Sequence, residues 1–164
     1  MINDEFFVLL ENRNLGFLQD PIYYEIIRST WIKTAYPQML THPYTAEFLY
    51  LLLKSKNVKN ILEIGTFTAF TSILFAKSTN AEALIYTIEK HKEYEEIIYE
   101  HVAMANVTNK IKVFFDDALN VLSKCQYNFD IIYIDADKIN YPRYLDLCYN
   151  ILNNDGIMIF DNID

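Results

Sequence analysis

The hydrophobic pattern changes its period once along the chain. Before Asn60, apolar residues recur at helical spacing. Asn3 to Glu11 presents Phe6, Phe7, Leu9 and Leu10 on one side of a short helix, followed by a turn around Gly16. Asp20-Pro21 opens a second helix, with an N-cap acid and then proline at the first helical position. It is expected to run to about Ala35, carry Ile22, Ile26, Ile27 and Trp31, and stop at Pro37. Thr41-His42-Pro43 opens a third, reaching about Lys54, with Phe48, Leu49 and Leu51 to Leu53 as its apolar residues.

From Asn60 short β-branched runs take over. Strands are expected at Asn60–Ile64, Ala83–Ile88, Ile111–Phe115, Phe129–Ile134 and Gly156–Phe160. Helical patterns separate them, at roughly Phe70–Ser78, Lys92–Ala105, Ala118–Lys124 and Tyr141–Leu152. Such alternation implies right-handed crossovers and a mostly parallel sheet with helices on both faces. The fold class is α/β, doubly wound. The whole of 1–164 is read as one domain, a helical extension over 1–56 on an α/β core over 57–164.

Composition narrows the function. The net charge of −8 leaves no broad basic surface for nucleic acid. No apolar run approaches a membrane span. The N-terminal MINDEFFVLLENRN has acids where a signal peptide needs positive charge. Cys125 and Cys148 lack metal-type spacing and read as reduced thiols of a cytoplasmic protein.

The chemistry gathers at strand ends, where open parallel α/β sheets bind ligands. Glu63 and Gly65 end the first strand, and Gly65-Thr66-Phe67-Thr68-Ala69 forms its loop. The loop has one glycine, whereas a pyrophosphate-binding loop needs several, so a nucleotide without a pyrophosphate fits better. An ordinary strand-to-helix turn is equally compatible with one glycine. Glu89, ending YTIEK, stands where an acid commonly accepts ribose hydroxyls. Asp117 can face an adenine amino group, cap the helix that begins at Ala118, or do both. Asp135, Asp137 and Lys138 follow the fourth strand, and Asp161-Asn162 the fifth. With those strands adjacent, Asp135, Asp161 and Asn162 form an all-oxygen set suited to Mg²⁺, Ca²⁺ or Mn²⁺. Lys138 reads either as a general base near a cation or as a salt-bridge partner of Asp135 or Asp137. His91 and His101 fit solvated helix faces, and no histidine is assigned to metal.

These residues together resemble the cation-dependent O-methyltransferases that use S-adenosylmethionine, the family of caffeoyl-CoA and catechol O-methyltransferases. The resemblance runs from about Met39 to the last residue. It is carried by MLTHPYTAEFL, ILEIGTFTAF, YTIEK, DDAL, FDIIYIDADKINYPRY and GIMIFDN. It implies S-adenosylmethionine and a divalent cation, Mg²⁺, as cofactors, with a small hydroxylated aromatic, catechol-like substrate. It puts Asp135, Asp161 and Asn162 at the metal and Lys138 at the general-base position. Glu63 and Gly65 match the loop at the cofactor's methionine part, and Glu89 the ribose acid. Asp117 matches the adenine side, and Asp137 the acid near the cofactor's amino group. Met39 and Thr41 match a pair over cofactor and substrate, and Thr71 a position often held by serine. A homodimer is the family habit.

Two departures stand out. Ala69 replaces a customary second glycine, where its methyl is expected to crowd the cofactor or shift the helix. The chain stops at Asp164, where relatives go on to an antiparallel strand pair, so the fifth strand is expected to show an open edge. These departures favour one alternative, a shortened methyltransferase-like binding module without turnover. A nicotinamide oxidoreductase on the same fold is disfavoured by the missing glycines.

Overall fold

The computed structural model describes residues 15–163. The helix expected over Asn3 to Glu11 lies outside the described residues. A 3₁₀ turn, Phe17–Gln19, leads into α1 (Ile22–Lys33), and Asp20 Oδ1 accepts the Ile22 amide at 3.0 Å. A second 3₁₀ turn, Pro37–Met39, precedes α2 (Pro43–Ser55), where His42 Nδ1 accepts the Tyr44 amide. Then come β1 (Asn60–Ile64), α3 (Phe70–Ser78), β2 (Leu84–Glu89), α4 (Glu95–Met104) and β3 (Ile111–Phe115). The chain continues with α5 (Ala118–Leu122), β4 (Phe129–Ile134), α6 (Tyr141–Tyr149) and β5 (Leu152–Phe160).

All four strand pairings are parallel and the order is β3-β2-β1-β4-β5. Residues two apart on a strand share a face, so each strand feeds two cores. Ile61, Ile85, Ile131 and Tyr133 pack under α1, α2, α3 and α4. Leu62, Ile64, Ile88, Ile132 and Ile134 pack against Ala118 and Leu122 of α5 and Tyr141, Tyr144 and Cys148 of α6. This is the doubly wound arrangement.

Three boundaries differ from expectation by three residues or more. The helix expected from Lys92 begins as a 3₁₀ turn, Lys92–Tyr94, and becomes α-helical at Glu95. The helix expected to reach Leu152 ends at Tyr149. The last strand begins at Leu152 and not at Gly156, and its pairing jumps from Phe129↔Leu152 to Ile131↔Ile157. Polar Asn153, Asn154 and Asp155 occupy that irregular stretch, and hydrophobic periodicity cannot register them as strand. Every residue of β5, the last strand in the sheet order, is half-buried or exposed. A buried cation, Lys110, joins the layers. Its ammonium donates to the carbonyls of Ala76, Thr79 (3.3 Å) and Asn80 (2.7 Å), closing the C-terminal end of α3.

Candidate functional site

The C-terminal ends of the strands open onto one cavity of about 970 Å³. That is near the top of the usual range for small-molecule sites, roughly 300–1,000 Å³. It lies where the strand order reverses between β1 and β4, the place such sheets offer a ligand.

The loop from β1 to α3 forms one wall. Gly65 (φ +103°), Phe67 (φ +49°) and Ala69 (φ +65°) all adopt left-handed backbone. For the two with side chains this costs roughly 1–2 kcal/mol each. Neighbouring elements hold the strained loop in place. Thr66 Oγ1 lies 2.6 Å from Thr87 Oγ1 of β2, and Thr68 Oγ1 lies 2.9 Å from Thr30 Oγ1 of α1. The Phe67 amide donates to Glu89 Oε2 at 2.8 Å. His101 of α4 sets Nδ1 2.8 Å from the Thr68 carbonyl, which requires the proton on Nδ1. That contact corrects the expectation for His101. It is fully buried, and burial lowers its pKa and keeps the ring neutral. Its spacing with the buried Ile97, Ile98 and Val102 was the available signal.

Ala69 is also corrected. It is completely buried and not part of the cavity wall, although Thr68 and Phe70 on either side are. Its left-handed backbone carries a conformational cost. Ala69→Gly is expected to stabilise the protein by about 1 kcal/mol, since glycine adopts this backbone freely. Urea denaturation checks this, and a variant less stable than the parent would contradict it.

Of the residues singled out in the sequence, Met39, Thr41, Gly65, Thr71 and Glu89 line the cavity. So do Asp135, Asp137, Asp161 and Asn162. Thr41 and Thr71 join their hydroxyls at 2.6 Å. Glu89, 5% exposed, accepts the Phe67 amide and, through Oε1, the His91 amide at 2.7 Å, tying the loop to the end of β2. Asp137 accepts the Tyr144 hydroxyl at 2.5 Å.

Three do not line it. Glu63 is wholly buried beneath the loop, where the hydroxyls of Ser72 and Thr87 donate to Oε2 while Oε1 has no partner. Burial outweighs those hydrogen bonds and pushes its carboxyl up to about 8. Asp117 caps α5 by accepting the Leu119 amide at 2.9 Å and pairs with Lys90 at 3.2 Å, and its neighbour Asp116 faces the cavity instead. Lys138 is exposed on the 3₁₀ turn Lys138–Asn140. Among the described residues it forms no ion pair with Asp135 or Asp137.

The oxygen-rich corner sits between β4 and β5. Burial first, and the neighbouring Asp161 carboxylate second, raise Asp135 to about 6, against the opposing pull of Lys138. Asp161 is fixed by the Tyr133 hydroxyl at 2.6 Å on Oδ2 and by the Asn162 amide at 2.9 Å on Oδ1. Asn162 itself is left-handed, at φ +53°. Among the described residues no group of three or more His, Cys, Asp and Glu is gathered. The set is two carboxylates and one amide. Mutually repelling carboxylates opening onto a cavity fit a hard divalent cation.

Fold and site together define a doubly wound α/β protein with a nucleotide-type crevice at its switch point and an acidic oxygen cluster on the crevice's edge. The O-methyltransferase family model matches residues 16–164, and the chain belongs to that family. It is 38% identical to a probable caffeoyl-CoA O-methyltransferase of Dictyostelium discoideum, over 76% of this chain and 52% of that protein. It is 26% identical to a catechol O-methyltransferase of Mycobacterium tuberculosis, over 77% of this chain and 58% of that one. The chain thus spans little more than half the length of these relatives. An O-methyltransferase from Bacillus cereus, solved with SAH, superimposes with a TM-score of 0.79 at 27% identity, covering 87% of this chain and 66% of the other.

Proposed function

We infer that the protein is an S-adenosylmethionine-dependent O-methyltransferase that uses a divalent cation, Mg²⁺, and acts on a hydroxyl of a small catechol-like substrate. The observation that carries this reading is the convergence of the Gly65 loop, Glu89 and the Asp135, Asp161 and Asn162 cluster on one cavity. Supporting it are the family, the catechol named for the mycobacterial relative and the SAH bound to the Bacillus enzyme.

Glu89 would accept the ribose hydroxyls, and Asp137 would face the cofactor's amino group. Asp135, Asp161 and Asn162 would hold the cation, which when bound lowers the pKa of a coordinated hydroxyl. Lys138 would accept the hydroxyl proton. The oxygen would then form its bond to the methyl carbon as the carbon–sulfur bond breaks, with orientation supplying most of the acceleration. The reading includes a cytoplasmic homodimer. The exposed Tyr44, Phe48 and Leu51, on one face of α2, support the dimer, and sedimentation as a single chain would remove it.

Calorimetric titration of S-adenosylmethionine, with and without Mg²⁺, tests the reading. Binding followed by methylation of a catechol is the expected result. A folded protein that binds no cofactor would favour the non-catalytic module instead. Lys138→Met is expected to lower turnover at least tenfold, the scale of lost general-base catalysis, with cofactor affinity unchanged. An unaltered rate would return Lys138 to the surface.

A further inference from the structure

One buried hydroxyl reaches the acidic corner from behind the cavity wall. It belongs to Tyr133 of β4, which is 1% exposed and does not line the cavity. Its ring packs edge-on against Phe75 of α3, with centroids 5.8 Å apart. A phenylalanine would fill the same space, so packing accounts for the ring and not for the hydroxyl. That hydroxyl donates to Asp161 Oδ2 at 2.6 Å, across the pairing of β4 with β5.

Asp161 is half-buried, and its carboxylate repels that of Asp135. Without restraint it would turn away from Asp135 toward water. Two hydrogen bonds act on the carboxylate. The one from the Asn162 amide to Oδ1 joins neighbours in the chain and moves with them. The one from Tyr133 comes from the adjacent strand and fixes the carboxylate relative to the sheet. The Tyr141 hydroxyl holds the Asp161 carbonyl at 2.8 Å, so a tyrosine anchors the backbone as well. A carboxylate offers about four lone-pair sites, and these donors leave some of them to a cation.

Having given its proton to Asp161, the Tyr133 oxygen can only accept from elsewhere. Thr41 reaches it, and the Thr41 hydroxyl lies 2.6 Å from that of Thr71. Protons ordered from Thr71 to Thr41 to Tyr133 to Asp161 satisfy every hydroxyl in the row. Hydrogen bonds arranged in this way strengthen one another.

We propose that Tyr133 is a positioning residue for the divalent cation, its hydroxyl holding the Asp161 carboxylate beside Asp135 before the ion arrives. The inference rests on the divalent-cation reading of this corner. Such preorganisation raises affinity, because the ion does not have to gather two carboxylates that repel each other.

The test measures Mg²⁺ binding by calorimetry and Mn²⁺ binding by loss of the free-ion electron paramagnetic resonance signal. Each is done on the whole protein, alone and with S-adenosylmethionine. Tyr133→Phe keeps the ring and removes the hydroxyl. It should weaken both cations by roughly tenfold or more, the scale of losing a ligand's outer partner. Its affinity for S-adenosylmethionine without metal should stay parental, since Tyr133 lies outside the cavity wall. Phe75→Leu disturbs the same core and spares the hydroxyl, so it should lower the denaturation midpoint and keep parental cation affinity. Equal cation affinity in Tyr133→Phe and the parent would overturn the inference and leave the cation reading standing. So would equal weakening in both variants, which would make Tyr133 a packing residue. A parent that binds neither cation, with or without S-adenosylmethionine, would overturn the cation reading and the inference with it.

Discussion

Gly65→Ala is expected to abolish S-adenosylmethionine binding and to cost the fold on the order of 3 kcal/mol or more, among the larger effects a single methyl can have. A Cβ built on Gly65 would stand 2.0 Å from the Asp135 carbonyl oxygen, a backbone atom that no rotamer change can move. The backbone angle, φ +103°, adds strain for any residue with a side chain. The two strand ends are pinned side by side, because the Asp135 amide donates to the Ile64 carbonyl at 2.9 Å and the Gly65 amide to the Ile88 carbonyl at 3.0 Å. Relief of the clash therefore has to pull the loop away from Glu89 or push Asp135 away from Asp161. Either movement damages the cavity. Denaturation and cofactor titration of the variant check both parts. A variant with parental stability and affinity would mean that β1 and β4 do not meet as described.

The second large effect has opposite signs in stability and activity. Asp135→Asn is expected to eliminate Mg²⁺-dependent methyl transfer and, in the absence of metal, to raise stability at pH 7 by about 2 kcal/mol, partial exposure to solvent moderating the full electrostatic gain. Burial and Asp161 raise the Asp135 carboxyl from 3.8 to about 6 in the folded protein. Between those two values the folded state holds a proton that the unfolded chain has released. Stability therefore falls as pH rises through that window, by at most about 1.4 kcal/mol for each pH step of one, and the penalty is complete above about pH 6. Asparagine removes the charge, so its advantage should be present at pH 7 and nearly gone near pH 4. Mg²⁺ should stabilise the parent at pH 7 and leave the variant unchanged. Denaturation at the two pH values, with and without Mg²⁺, reads these differences. A variant less stable than the parent at pH 7, or one still methylating with Mg²⁺, would refute the assignment.

The same corner shows why glycine is needed where it stands. From the sequence, Gly65 is read as part of the loop that meets the cofactor. In the structure it makes room for the carbonyl of Asp135, some seventy residues away in the chain. Ala69 shows the converse, because the substitution that stood out in the sequence is tolerated as buried left-handed backbone outside the cavity. Two sequence candidates, Glu63 and Asp117, support the site from behind. They stand near strand ends, and strand-end position alone does not say which way a side chain faces. Glu63 shares the face of Ile61, which packs under α3, and so points away from the cavity.

Read alone, the sequence determined the order of strands and helices, the parallel sheet and the strand ends that carry the acids. Those features depend on local period and on rules of connection that hold for any right-handed crossover. It also marked Asp135, Asp161 and Asn162 as neighbours, since adjacent parallel strands bring their ends together. Only the tertiary structure decided what depends on the meeting of distant segments. His101 and Thr30 clamp Thr68 from opposite helices, Lys110 closes the end of α3, and Asp116 takes the place in the cavity that Asp117 gives up to a cap. Each is a polar group whose position is set by a partner more than twenty residues away or by competition for a local backbone donor. Hydrophobic periodicity records which residues leave water, but it carries no signal for the hydrogen bonds that polar groups must then find.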